Sequence, residues 1–155
     1  EDGGKLIFIR HAYAPGNGDP AGFNLNDCST QRNLSDDGRK QAQRIGEFFN
    51  KNKIEIDKVL SSEWCRCKET AKIAFKNYST NSFLNSFYSS KFSKNKDKQV
   101  KAFNYYIKNL ESKKNLIFVT HYVFISEVLN YGPSSGEIVV SDKNLNIIGS
   151  IEIDF

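Results

Sequence analysis

The chain has 155 residues, 39% of them hydrophobic and 26% charged, with a formal net charge of +4. That length suits one domain, expected to span 1–155, with room for a sizeable core, and the composition excludes a disordered or fibrous chain. The mild positive excess is compatible with an anionic ligand and too small to indicate nucleic acid. No apolar run reaches the roughly 18 residues that a membrane-spanning helix needs. The chain begins Glu1-Asp2-Gly3-Gly4 and contains no Met, so we expect an upstream segment, a signal peptide among the candidates, to have been removed by processing or cloning.

Taken in chain order, the elements alternate. Residues 5–9 form a short apolar run that ends in Arg10-His11, as a buried strand bounded by a turn would. A loop rich in Gly, Pro, Asp and Asn follows over 12–34. Ser35-Asp-Asp-Gly38 supplies an N-cap and first-turn acids for a helix whose apolar positions are Ala42, Ile45, Phe48 and Phe49. A second strand is expected at 56–60, a helix at 63–77, and then a Ser/Asn-rich stretch holding Phe83, Leu84 and Phe87. Residues 91–110 read as a helix with Phe92, Val100, Phe103, Ile107 and Leu110 on its inner face. A strand at 116–120 and a helix at 123–130 come next. Two strands close the chain at 137–140 and 146–153, the last alternating Ile147, Gly149, Ile151 and Ile153 as a strand with one buried face should. This order predicts a three-layer α/β/α sandwich with a mostly parallel sheet.

The two histidines occupy matching places. His11 follows Leu-Ile-Phe-Ile-Arg and His121 follows Leu-Ile-Phe-Val-Thr, so each ends a buried-type strand, where open α/β sheets build ligand crevices. Arg66 falls in the first turn of the helix expected at 63–77, where a guanidinium fork beside free backbone N–H groups suits a multiply charged anion. A surface ion pair with Glu63 or Glu69 is the alternative for Arg66. Gly16-Asn-Gly18 lacks a following Lys-Ser/Thr and reads as a turn. Three cysteines, Cys28, Cys65 and Cys67, carry no repeated CxxC spacing and do not suggest zinc; thiols and one disulfide both remain open.

Together these residues resemble the histidine phosphatase superfamily, which includes the cofactor-dependent phosphoglycerate mutases. Arg10-His11-Ala12 is similar to its signature, and Asn33-Leu-Ser-Asp-Asp-Gly-Arg-Lys-Gln-Ala42 to its first-helix motif. Ser61-Ser62 through Arg66 to Glu69-Thr-Ala71 is similar to the second-helix motif, and Val119-Thr-His121 to the second-histidine motif. The stretches from Gly18 to Asn33 and from Pro133 to Glu137 look like a compact, mostly bacterial and often exported subgroup. The resemblance implies a phosphoglycerate mutase-like fold and a phosphohistidine formed on His11. Arg10, Arg66 and His121 would clamp the phosphoryl oxygens, and neither metal nor cofactor is required.

Three departures shape the expectation. Ala12 replaces the usual glycine. No carboxylate stands where the mutases place their general acid, the comparable stretch being Ser82-Phe-Leu-Asn-Ser-Phe-Tyr88; among Asp19, Asp27, Glu69 and Glu137, we expect Glu137 to serve. The chain also lacks long insertions, which favours hydrolysis over phosphoryl return to a bound product. Arg32 and Asn33 are further candidates for phosphate or substrate contacts. Because the regions around Cys28 and Arg66 should face one crevice, a disulfide from Cys28 to Cys65 or Cys67 is expected, and with it an extracytoplasmic location. The reading is therefore a phosphatase acting on a small phosphorylated substrate or a phosphoprotein, with phosphate or sulfate expected to fit its site. A weakly catalytic phosphate- or phosphosugar-binding module and a mutase-type phosphotransferase are the alternatives.

Overall fold

The computed structural model describes residues 4–155. Its elements run β1 (Leu6–Arg10), α1 (Asp36–Lys51), β2 (Ile56–Ser61), α2 (Cys65–Phe75), β3 (Ser79–Thr80), α3 (Lys96–Lys108), β4 (Asn115–Thr120), α4 (Tyr122–Leu129), β5 (Ile138–Ser141) and β6 (Ile147–Ile151). One sheet has the order β3-β2-β4-β1-β5-β6. The pairs β3–β2, β2–β4 and β4–β1 are parallel, whereas β5 runs antiparallel to both β1 and β6.

The apolar runs of β1 and β4 are continuous because both faces of these central strands are covered. Leu6 and Phe8 join Phe103 of α3, Phe118 of β4 and Phe124 of α4 in one core. Ile7 and Ile9 point the other way, into a second core with Ile45 and Phe49 of α1 and Ala71 of α2. Helices thus flank both faces, as the element order predicts. Among the described residues, no helix is long and apolar enough to cross a membrane.

The helix at α1 starts as read, with the Ser35 hydroxyl accepting from Gly38 N. Gly38 itself is required by close approach: a Cβ there would lie 2.0 Å from the Tyr13 carbonyl oxygen. Three expectations are corrected. All five residues of β6 are exposed, with Ile148 at 57%, so its alternation marks a strand at the sheet's antiparallel edge and not a buried face. The helix expected at 91–110 begins only at Lys96, after a 3₁₀ turn at Ser93–Asn95, which frees Phe92 from the helix. The two-residue β3 was not expected, since Ser79 and Thr80 carry no apolar signal.

Candidate active site

The parallel pairing of β1 with β4 sets Arg10 opposite Thr120, so the residues that follow, His11 and His121, leave the sheet side by side. The His11 backbone N donates to the Thr120 carbonyl at 3.0 Å. Its ring Nδ1 lies 2.9 Å from the Ala12 carbonyl oxygen. A carbonyl can only accept, so Nδ1 carries the proton and Nε2 keeps its lone pair. That lone pair faces Arg66, whose Nε donates to it at 3.2 Å. Thr70 fixes the arrangement: its hydroxyl accepts from Ala12 N at 3.0 Å and donates to the Arg66 carbonyl at 2.8 Å. The motif residues around position 70 therefore hold the histidine's backbone against the helix that carries the arginine.

His121 packs with its ring centroid 5.6 Å from that of His11, and its Nε2 lies 2.8 Å from the Ser62 hydroxyl. Burial, reinforced by the Arg66 charge, pushes both imidazoles well below the ordinary histidine range, so both are neutral near pH 7. Three guanidinium groups surround them. Arg66, 3% exposed, is the second residue of α2. Arg10 donates from Nη1 to the Pro133 carbonyl and lies over the Tyr122 ring, while its buried Nε has no partner among the described residues. Arg32 donates from Nε to the Gly18 carbonyl at 2.7 Å and from Nη1 to the Ala14 carbonyl. Burial and the neighbouring Arg66 lower its pKa to about 10. All five of these side chains line one cavity of about 430 Å³.

A family model described as the histidine phosphatase superfamily (branch 1) matches residues 6–84, slightly over half of the chain, and takes in His11 and Arg66. The chain belongs to the histidine phosphatase superfamily. No curated protein matches it in sequence. Solved structures with the same fold include the phosphoglycerate mutase of Thermus thermophilus, at TM-score 0.66 and 16% identity over 97% of this chain and 99% of that one. The putative phosphohistidine phosphatase SixA of Agrobacterium tumefaciens superposes with TM-score 0.63 at 17% identity, over 96% and 97% of the two chains. The protein histidine phosphatase SixA complexed with tungstate gives 0.63 at 15% identity, over 97% and 96%.

Within this superfamily fold the remaining candidates separate. Glu137, expected as the general acid, is 2% exposed and does not line the cavity. Its carboxylate accepts from Ser134 N and from the Tyr131 hydroxyl, closing the turn before β5, so it is committed to backbone structure. Asn33 also lies outside the cavity: its Nδ2 donates to the carbonyls of Cys28 and Gln31 and holds the loop in shape. Arg66 pairs with neither Glu63 nor Glu69; Glu69 is bound by Arg39.

The acid in the site is Asp19, which accepts from Arg66 Nη1 at 2.8 Å, Trp64 Nε1 at 3.0 Å and Arg32 N at 3.1 Å. Only its place in the Gly18-Asp-Pro20 stretch could have singled it out among the loop's acids. Cys28 is bonded to Cys65, which ties the loop between Asp19 and Arg32 to the first residue of α2, while Cys67 is a free, buried thiol. Beside them the Gln31 side chain accepts from Cys65 N, taking the place of a cap at α2. Ser62 and Thr70 belong to the second-helix motif and Gln31 to the loop before α1, but nothing in these polar residue types by themselves announces the hydrogen bonds they make here. Among the described residues no group of His, Cys, Asp and Glu is arranged to hold a metal ion.

Proposed function

We propose that this chain is a metal-independent phosphatase that hydrolyses a phosphomonoester or a labile phosphoryl group through a phosphohistidine on His11. The observation that carries the reading is the orientation of His11: the Ala12 carbonyl fixes its tautomer and turns a neutral Nε2 toward the guanidinium cluster. The lone pair attacks phosphorus in line, and water then attacks the phosphohistidine. Arg10, Arg66 and His121 hold the non-bridging oxygens, which carry the charge of the transition state. The unpartnered Nε of Arg10 supports this role, because a buried donor left unsatisfied is costly until an anion takes it. A cluster of three guanidinium groups supplies the positive charge that the reaction requires.

The substrate is a small phosphorylated molecule or a phosphoprotein, and the tungstate in SixA supports an oxyanion as the group bound here. The Cys28–Cys65 bond supports an extracytoplasmic location, where disulfides persist. The test is hydrolysis of p-nitrophenyl phosphate by wild type and His11→Ala, with EDTA present, between about pH 5 and 8. Wild-type turnover that EDTA spares and His11→Ala abolishes is the expected result. Folded wild type that binds phosphate without turnover would make the chain a phosphate-binding module instead.

A further inference from the structure

We infer that this site selects phosphoryl groups carried on a flat, weakly basic leaving group, that is, aryl phosphates in preference to alkyl or sugar phosphates; the inference rests on the phosphatase reading above. Two independent features lead to it. One is the state of the cavity's acid. Asp19 is the only carboxyl group among the described residues that line the cavity. Its oxygens accept from both terminal nitrogens of Arg66, at 2.8 and 3.4 Å, from Trp64 Nε1 and from Arg32 N. Each oxygen thus accepts two bonds, Oδ1 from Arg66 Nη1 and Arg32 N and Oδ2 from Trp64 Nε1 and Arg66 Nη2, which favours the ionised carboxylate over the acid. Burial alone would raise its pKa, yet the bond and charge of Arg66, with Arg32 N and Trp64, outweigh burial and hold it below the usual carboxylate range.

The other candidate acids are committed elsewhere: Asp27 caps the 3₁₀ turn at Cys28–Thr30, Glu69 binds Arg39, and Glu137 closes its turn. Asp19 is thus a positioning residue that aims Arg66, and the leaving oxygen meets no carboxylic acid in the cavity.

The second feature is the wall beside the clamp. Phe23 stacks on Trp64 with centroids 5.1 Å apart and planes 23° from parallel. Phe92 meets both rings edge-on, at 5.8 Å and 5.5 Å. Trp64, only 2% exposed, in turn meets His121 at 5.4 Å and backs the half-buried rings of Phe23 and Phe92, so aromatic contacts run from the phosphoryl clamp to the rim. Tyr88, 64% exposed, also lines the cavity, with its ring beside Gly18. A surface of this kind takes a ring by stacking and edge contacts.

The chemistry balances without an acid. The His11 Nε2 pair forms the N–P bond as the P–O bond breaks, and the phenolate departs with its electron pair. Water oxygen then bonds to phosphorus, the N–P pair returns to Nε2, and both water protons leave on dihydrogen phosphate. An alkoxide would need a proton at the first step, and positioned proton transfer of that kind is worth about 10²–10⁴-fold.

The experiment measures kcat/KM for phenyl phosphates of graded leaving-group pKa and for glycerol phosphate, using wild type, Asp19→Asn, Phe92→Leu and Tyr88→Ala. We expect a steep fall with leaving-group pKa and glycerol phosphate at least about 10²-fold below p-nitrophenyl phosphate. Asp19→Asn should lower all esters by a common factor. Phe92→Leu, or Tyr88→Ala should Phe92→Leu fail to fold, should raise KM for aryl esters about three- to tenfold and leave inhibition by inorganic phosphate unchanged. A flat dependence, or selective loss of glycerol phosphate in Asp19→Asn, would show a working acid and overturn the inference while the phosphatase reading stands. Unchanged aryl KM in both wall variants would overturn it equally. No turnover of any ester would overturn both readings together.

Discussion

At the floor of the crevice, His11 and His121 end adjacent parallel strands and are only 2% and 3% exposed, held by backbone carbonyls and by Thr70 and Ser62. The wall is built from two loops packed on Trp64 at the start of α2, and Phe23, Arg32 and Phe92 are half-buried while Tyr88 is exposed. Floor residues owe their positions to the sheet register, which the core enforces. Wall residues owe theirs to a few side-chain contacts and one disulfide. Chemistry should therefore be lost by changes to the floor, whereas selectivity and local stability should respond to the wall.

The sharpest way to break the contrast is Arg66→Ala. Its Nε contacts His11 and its terminal nitrogens hold Asp19, so floor and wall meet in this one side chain. Removal of a positioned donor to developing charge typically costs about 10²–10³-fold in kcat. Steady-state kinetics on p-nitrophenyl phosphate should show a loss of that order in a folded variant. Arg32→Ala, which removes a wall cation, should cost much less in kcat.

The next effect falls on the wall. Cys28→Ser releases the loop that carries Asp19 and Arg32 from the start of α2, across a sequence separation of 37. Loss of such a link typically costs about 2–4 kcal/mol, and chemical denaturation should report it. Reducing agent should reproduce the shift in wild type and leave Cys28→Ser unmoved.

The floor titrates as well. Both histidines have folded-state pKa values well below the ordinary imidazole value of 6.5, through burial first and then Arg66. Below about pH 6.5 the unfolded chain takes up protons that the folded chain refuses, so stability present above that pH is lost as pH falls. Each histidine contributes a slope of about 1.4 kcal/mol per pH unit until its folded pKa is reached. Denaturation of His11→Ala between about pH 5 and 7.5 should show one such contribution fewer.

The same contrast governs what could be read in advance. Arg10, His11, Arg66 and His121 were legible because each closes or opens a regular element, and the element pattern fixes where those ends meet. The spacing of Phe92 from Val100 and Phe103 is compatible with a shared helix face, and the sequence alone places it there. The chain instead turns at Ser93–Asn95 and delivers the ring to Phe23 and Trp64. Asp19 sits in a loop without periodicity, where no pattern says which way a side chain points. The β6 strand shows the complementary failure, since alternation reports extended backbone and only the neighbouring layers decide burial.

Glu137 tests the distinction at its smallest scale, because placing the residue near the rim was not enough to place its carboxylate. Gly136, with φ of 69°, turns the chain so that Gly136 N donates to the carbonyls of Arg10 and His11, and the Glu137 side chain folds back onto Ser134 N. The same turn presents the Pro133 carbonyl to Arg10 Nη1. The carboxylate thus supports the floor from behind through backbone, at a distance from the reacting atoms. Glu137→Gln keeps an oxygen for Ser134 N and an amide for the Tyr131 hydroxyl, so it should cost about 1 kcal/mol in denaturation. Its kcat should stay within about twofold of wild type on aryl and alkyl esters alike. A proton donor at this position would instead show its loss on the alkyl ester first, by about 10²-fold or more.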